Sequence, residues 1–229
     1  ALPGVPVLVG PDRAALAALA VERFGARSLV LDDGFQHLRL ARDLDIVVVD
    51  ASNPFGNGHP MPRGPLREGR AALRAAGLGW ISKADQADPR EVERLAQELR
   101  AATGREPVRS AYRVSGIADL DGAEQGTDCL RGKRVLLLAG LARPDSFRRT
   151  LEACGAEIAG EAIFPDHHRF ADAELREVAE SARRLGAEAV ALTAKDAARL
   201  GAARLGVAAR VVHVELQILA GEQSLAEAL

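Results

Sequence analysis

Short runs of β-forming residues alternate with stretches of helical spacing along this chain, and several of the runs end in an acid or a glycine. Ser28-Leu29-Val30-Leu31 runs into Asp32-Asp33-Gly34, and Asp45-Ile46-Val47-Val48-Val49-Asp50 ends on a carboxylate. Strands that alternate with helices pair in parallel, with helices on both faces of the sheet. The fold class expected is therefore α/β. In such folds ligands gather beyond the carboxyl ends of the strands, where these acids lie. Two adjacent carboxylates at a strand end suit magnesium and phosphate chemistry, because a hard cation prefers oxygen ligands. An Asp-Gly turn after a strand explains the same residues without chemistry.

The spacing predicts strands over 5–10, 28–31, 45–50 and 79–82, with helices over 11–24 and 91–103. Between the third and fourth strands, residues 53–68 are too rich in Gly and Pro for regular structure. Loops of that length in compact domains are usually functional or disordered. Residues 108–129 lack helical periodicity and carry turn residues. A second alternation then follows, with strands over 133–140, 158–164, 187–193 and 209–216 and helices over 144–154 and 172–185. Asp196 fits a helix start. Two linked α/β units are the simplest account: residues 1–107, a linker over 108–132, and 133–229, with the last strand and helix able to return to the first unit.

At 229 residues the chain can bury a full core. The formal charge of −2 and the 3% aromatic content give no pull toward nucleic acid. Cys129 and Cys154 cannot form a disulfide framework, and no Cys/His spacing resembles a zinc site, which suits a reducing, intracellular setting. No apolar run approaches the roughly 20 residues that span a bilayer. The chain opens on Ala1-Leu2-Pro3-Gly4 with no methionine and no signal peptide, so an upstream natural start is expected.

The chemistry-bearing motifs occur in a fixed order. They are Leu31-Asp32-Asp33-Gly34-Phe35-Gln36-His37 with Arg39-Leu40-Ala41-Arg42-Asp43-Leu44-Asp45, then Pro54-Phe55-Gly56-Asn57-Gly58 and Gly64-Pro65-Leu66-Arg67-Glu68. After them come Ala139-Gly140-Leu141-Ala142-Arg143-Pro144, Phe164-Pro165-Asp166-His167-His168-Arg169-Phe170 and Thr193-Ala194-Lys195-Asp196. In these motifs, across nearly its whole length, the chain resembles the tetraacyldisaccharide 4'-kinases of lipid A biosynthesis. The resemblance implies a P-loop-kinase-like domain, incomplete here, and a smaller second α/β domain with the site in the cleft between them. It also implies transfer of the γ-phosphate of ATP to the 4'-hydroxyl of a lipid-bearing glucosamine disaccharide, the lipid A precursor. The work would be done at the cytoplasmic face of the bacterial inner membrane.

Carried over residue by residue, the resemblance makes Asp32, Asp33, Gln36 and Glu68 the magnesium shell and His37, Arg67 and Asn57 contacts for phosphate or sugar. His167 becomes the base, with Asp166 beside it, and Asp33 shares in catalysis. The carboxylate partner of His167 would lie upstream of this chain. One departure is decisive: no G-x-x-x-x-G-K-[ST] occurs, and the family places that phosphate cradle before the point where this chain starts. Lys83 and Lys195 sit outside Gly-rich loops and cannot replace a cradle of backbone N–H groups. A truncated kinase with little activity alone is therefore expected.

The bland readings are a solvated surface pair for Arg67-Glu68 and helix capping for Asp166-His167-His168. Rival functions are a metallophosphoesterase with an Asp-His-His motif, a GTPase fragment reading guanine through Ser82-Lys83-Ala84-Asp85, and a non-catalytic remnant that binds lipid or sugar. The first lacks its accompanying acid and Gly-rich histidine motifs. The second has Ser where Asn is needed. Lys195 and Asp196 fit a bracing role.

Overall fold

The computed structural model describes residues 4–140, 144–166, 168–200 and 205–229. The chain divides into two compact units, Ala1–Arg109 with Leu219–Leu229, and Ser110–Ile218. The first holds α1 (Arg13–Phe24), β1 (Ile46–Asp50), β2 (Leu78–Ser82), α2 (Pro89–Thr103) and the first residues of β3 (Val108–Ala118). The second holds the rest of β3, β4 (Glu124–Gln125), β5 (Arg134–Ala139), α3 (Pro144–Ala153) and β6 (Glu157–Ile163). It continues through α4 (Asp172–Arg184), β7 (Ala189–Thr193) and α5 (Ala194–Leu200) into β8 (Ala209–Ala220). The end of β8 and α6 (Glu222–Ala228) belong to the first unit.

In the first unit β1 and β2 pair in parallel, from Ile46 opposite Leu78 to Asp50 opposite Ser82. Helix α2 follows from its sequence. The Asp88 side chain caps it by accepting from Arg90 N, Pro89 fits the first turn, and Gly104 closes it in the left-handed conformation. Val92, Leu95, Ala96 and Leu99 recur at helical spacing and are all buried. Gly79 lets that face approach β2, because a Cβ there would lie 2.9 Å from Leu99 Cβ.

In the second unit β5 is central, parallel to both β6 and β7, and β7 is parallel to β8. Alternate β5 residues face two cores, as a parallel strand covered on both sides requires. Leu136 and Leu138 join Leu175, Val178 and Ala182 of α4. Val135, Leu137 and Ala139 join Phe147 and Leu151 of α3.

Three expectations change. Residues 5–10 and 28–31 are not strands, and Val7, Val9 and Val30 are 73%, 88% and 100% exposed. A β-former becomes a strand only where a neighbour completes its hydrogen-bond ladder, and among the described residues none does so there. Secondly, the sheet is mixed, since β4 runs antiparallel to β3 while β1–β2, β2–β3, β5–β6, β5–β7 and β7–β8 pair in parallel. Thirdly, residues 108–132 carry β3, β4 and a 3₁₀ turn, with Ile117 and Leu130 each 1% exposed in the core. Smaller shifts occur at helix starts: Asp12 caps α1, and α5 begins at Ala194 rather than Asp196. Among the described residues no helix is long and apolar enough to cross a membrane.

Candidate functional site

Two loops of the first unit meet. The earlier one, residues 31–37, is shaped largely by Arg42. Its Nε donates to Asp45 Oδ1 at 2.6 Å, Nη1 donates to the carbonyls of His37 and Leu40, and Nη2 reaches that of Phe35 at 3.4 Å. The loop turns where His37 N donates to Gly34 O at 2.9 Å. Gly34 is needed there, since a Cβ would lie 2.8 Å from Leu31 Cβ. Asp33 takes a positive φ of 54°, which aspartate tolerates better than most residues. Asp32, Asp33 and Gln36 are exposed, whereas His37 turns inward with its Nε2 buried and no hydrogen-bond partner among the described residues.

The later loop begins at the end of β1. Asp50 accepts from Ser52 N at 3.0 Å, from Ser52 Oγ at 2.6 Å and from Lys83 Nζ at 2.7 Å. Burial pushes the Asp50 carboxyl up, but the hydrogen bonds from Lys83 and Ser52 outweigh it and hold the group below its ordinary value. Lys83 follows β2 directly, and the in-register pairing of Asp50 with Ser82 brings it within reach. Asn57 donates to Arg63 O at 2.8 Å and accepts from His59 N at 3.2 Å, so its polar atoms hold the loop itself. Gly64 fits into the same turn. A Cβ there would fall 2.0 Å from Asn57 Oδ1. Arg70 anchors the far end, with its guanidinium 4.5 Å over the Phe55 ring and an ion pair to Glu98.

Arg67 joins the two loops. Its Nη1 donates to both carboxylate oxygens of Asp33 at 2.7 Å, across 34 positions of sequence. Both side chains are more than half exposed, so the pair is open to ligands and contributes little to stability. Glu68 is exposed beside it.

The second unit carries the other candidates. His167 lies outside the described residues, as do Leu141, Ala142 and Arg143. Asp166 faces Lys195, with Oδ1 and Nζ 3.7 Å apart. His168 is held firmly: its Nε2 is 2.8 Å from Glu174 Oε2, and its ring stacks on Phe164 at 4.8 Å and meets Phe170 edge-on. The amide of Ala171 and then His168 keep the Glu174 carboxyl below its ordinary range. Sequence reasoning missed Arg42, the Asp50–Lys83 pair and the His168–Glu174 pair. For the last a signal existed, because Glu174 stands at the third position of a helix, where a carboxylate reaches back to the chain before it.

Exposed carboxylates with a guanidinium between loops can bind a hard cation and a phosphate. Among the described residues no group of three or more His, Cys, Asp or Glu forms a cage for a metal ion. Magnesium does not need one. It is commonly bound through one or two carboxylates with water and phosphate completing its shell, and Asp32 and Asp33 fit that demand.

Comparison with known proteins finds a family match along the whole chain. The family described as Tetraacyldisaccharide-1-P 4'-kinase matches residues 1–229. Identity to the Tetraacyldisaccharide 4'-kinase of Anaeromyxobacter sp. (strain Fw109-5) is 56% over 230 residues, all of this chain and 62% of that protein. Identity to that of Syntrophus aciditrophicus is 36% over 226 residues, 95% of this chain and 60% of that one. The chain thus spans about three-fifths of the length of these curated relatives. The crystal structure of "apo" form LpxK from Aquifex aeolicus in complex with ATP shares the fold. The TM-score is 0.63 at 23% identity, covering 92% of this chain and 59% of that one.

Proposed function

Because the chain belongs to the tetraacyldisaccharide-1-P 4'-kinase family, we propose that it takes part in phosphoryl transfer from ATP to the 4'-hydroxyl of a tetraacylated glucosamine disaccharide. The Asp33–Arg67 contact carries the proposal, because it supports a shared site for two loops far apart in sequence. Phosphoryl transfer is catalysed mainly by positioning and by neutralising charge on the phosphate oxygens.

In this reading Asp32 and Asp33 hold magnesium, with Gln36 and Glu68 reaching its waters. The metal, when bound, neutralises phosphate charge. Arg67 leaves Asp33 for a phosphate oxygen, exchanging one charged partner for another at little cost in an exposed site. His37 and Asn57 contact phosphate or sugar, Asn57 only after giving up a bond within its loop. His167 takes the proton of the attacking hydroxyl, with Asp166 beside it. The substrate is lipid-bearing, so the reaction takes place at a membrane surface, the cytoplasmic face of the inner membrane where ATP is available. Residues 53–68 then contact the acylated sugar. The sequence contains no Gly-rich Lys-Ser/Thr loop, and in this reading the residues named here meet the nucleotide at the metal and the phosphates.

The test is transfer of labelled phosphate from ATP to a tetraacyldisaccharide-1-phosphate by the natural gene product containing this chain. Asp33→Ala and Arg67→Ala should each lower kcat by about 10²-fold or more, with the fold unchanged by circular dichroism. Wild-type-like turnover in both would falsify the site. The 229-residue chain alone should bind ATP weakly and transfer little phosphate; nanomolar or low-micromolar ATP affinity in that chain contradicts this expectation.

A further inference from the structure

The segment Thr193-Ala194-Lys195-Asp196 looks at first like a helix start, with Thr193 Oγ accepting from Asp196 N at 3.1 Å. An acid at the third helical position usually turns back to its own helix. Asp196 does not. Its side chain is fully buried, and one oxygen accepts from Thr193 Oγ at 2.7 Å while the other accepts from the amide of Gly140 at 3.3 Å. One turn later Arg199 approaches the same carboxylate at 3.3 Å and donates to the Gly140 carbonyl at 3.0 Å. Gly140 is the buried residue just past the last paired position of β5, so neither of its backbone groups has a place in the ladder. Both are satisfied from α5.

A buried carboxylate costs several kcal/mol unless it is paired and hydrogen-bonded. Capping a seven-residue helix does not call for one. What the arrangement does is fix Gly140 in place. A Cβ at Gly140 would sit 3.2 Å from Asp196 Oδ1 and 3.5 Å from both Phe170 Cζ and the Pro165 carbonyl. The Phe164 amide donates to the neighbouring Ala139 carbonyl at 2.8 Å. The same helix end presents Lys195 to Asp166.

We propose that Asp196 and Arg199 are positioning residues: they lock the end of β5 at Gly140, and through that contact set Pro165 and Phe170 for the phosphoryl transfer proposed above. Neither touches substrate. The role rests on the proposed kinase reading, but the clamp itself is testable without it.

Amide hydrogen exchange and steady-state kinetics together decide the matter, using Asp196→Ala, Asp196→Asn, Arg199→Met and Arg199→Lys. With the carboxylate removed, the Gly140 amide should exchange at least about tenfold faster, while the Leu137 amide, deep in β5, changes less than about twofold. In the natural gene product, Asp196→Asn and Arg199→Met should lower kcat at least about tenfold with KM for ATP within about twofold, and Arg199→Lys should recover part of the loss. If Asp196→Ala does not fold, Asp196→Asn and the Arg199 variants carry the comparison. Equal acceleration at Gly140 and Leu137, or an unchanged Gly140 amide in a folded variant, overturns the clamp. A loosened Gly140 with wild-type kcat overturns the positioning role. Absence of transfer by the wild-type protein defeats the kinase reading instead, and the exchange data still decide the clamp.

Discussion

The two units use the same kind of residue to opposite ends. In Ser110–Ile218, the valines and leucines of β5 and β7 are almost wholly buried: Val135, Leu137, Leu138, Val190 and Leu192 are each 0% exposed. In the unit formed by Ala1–Arg109 and Leu219–Leu229, Val7, Val9 and Val30 stand 73% exposed or more. Intrinsic preference does not separate the two sets, since both are short runs of β-branched and aliphatic residues. What separates them is neighbours. β5 has a strand on each side and a helix on each face, while residues 5–10 and 28–31 have no ladder partner among the described residues. A strand is a property of a pair, and propensity alone does not make one.

Removing a buried side chain from the closed unit tests this difference most severely. Leu137→Ala should destabilise the protein by about 2–5 kcal/mol in urea or thermal unfolding, because its surroundings cannot collapse around the void. A loss comparable to that of an exposed change would break the comparison. Polar closure in the first unit comes next. Lys83→Met leaves Asp50 half-buried and short of one partner, and should cost about 1–3 kcal/mol.

That cost carries a pH signature. Because the Asp50 carboxyl titrates below its ordinary value of 3.8 in the folded chain, its contribution is present above that value. It fades as pH falls through the lower, folded value. The stability gap between wild type and Asp50→Asn should therefore be widest near neutrality and shrink below about pH 4; a gap that widens on acidification would show the sign to be wrong. The smallest effect belongs to the exposed valines. Val30→Ser should shift stability by no more than about 0.5 kcal/mol, and amides of residues 5–9 and 28–31 should exchange far faster than those of β5. Slow exchange there would mean that these runs are paired after all.

Much of the architecture was legible because it is written locally. The body of α2, expected over 91–103 and found over Pro89–Thr103, and the alternation from residue 133 onward need no distant information to be read. The failures are non-local. Residues 5–10 read as a strand as clearly as 46–50 do, and only the partner distinguishes them. β3 was hidden for a different reason: its buried ends flank a half-exposed middle that includes Tyr112, Arg113 and Gly116, so neither alternation nor a solid apolar run survives.

At the candidate site the residue types were legible and the contacts were not. Asp33 and Arg67 were assigned to one region through a resemblance, but nothing in their sequence neighbourhoods says that they touch. His168 stood next to the histidine given the larger role, and its partner Glu174 looked like an ordinary first-turn acid.

The guanidinium of Arg42 makes the loop over residues 31–37 something close to a cassette. One side chain holds the carbonyls of Phe35, His37 and Leu40, so the backbone path depends on position 42 more than on the exposed side chains it displays. Asp32 and Gln36 can therefore be exchanged in a mutational library with the loop's path preserved, so that the metal-binding role proposed for them is tested apart from the loop's architecture. Lysine at 42 has no planar fork to span three carbonyls. A library that varies position 42 along with the others would confound recognition with architecture.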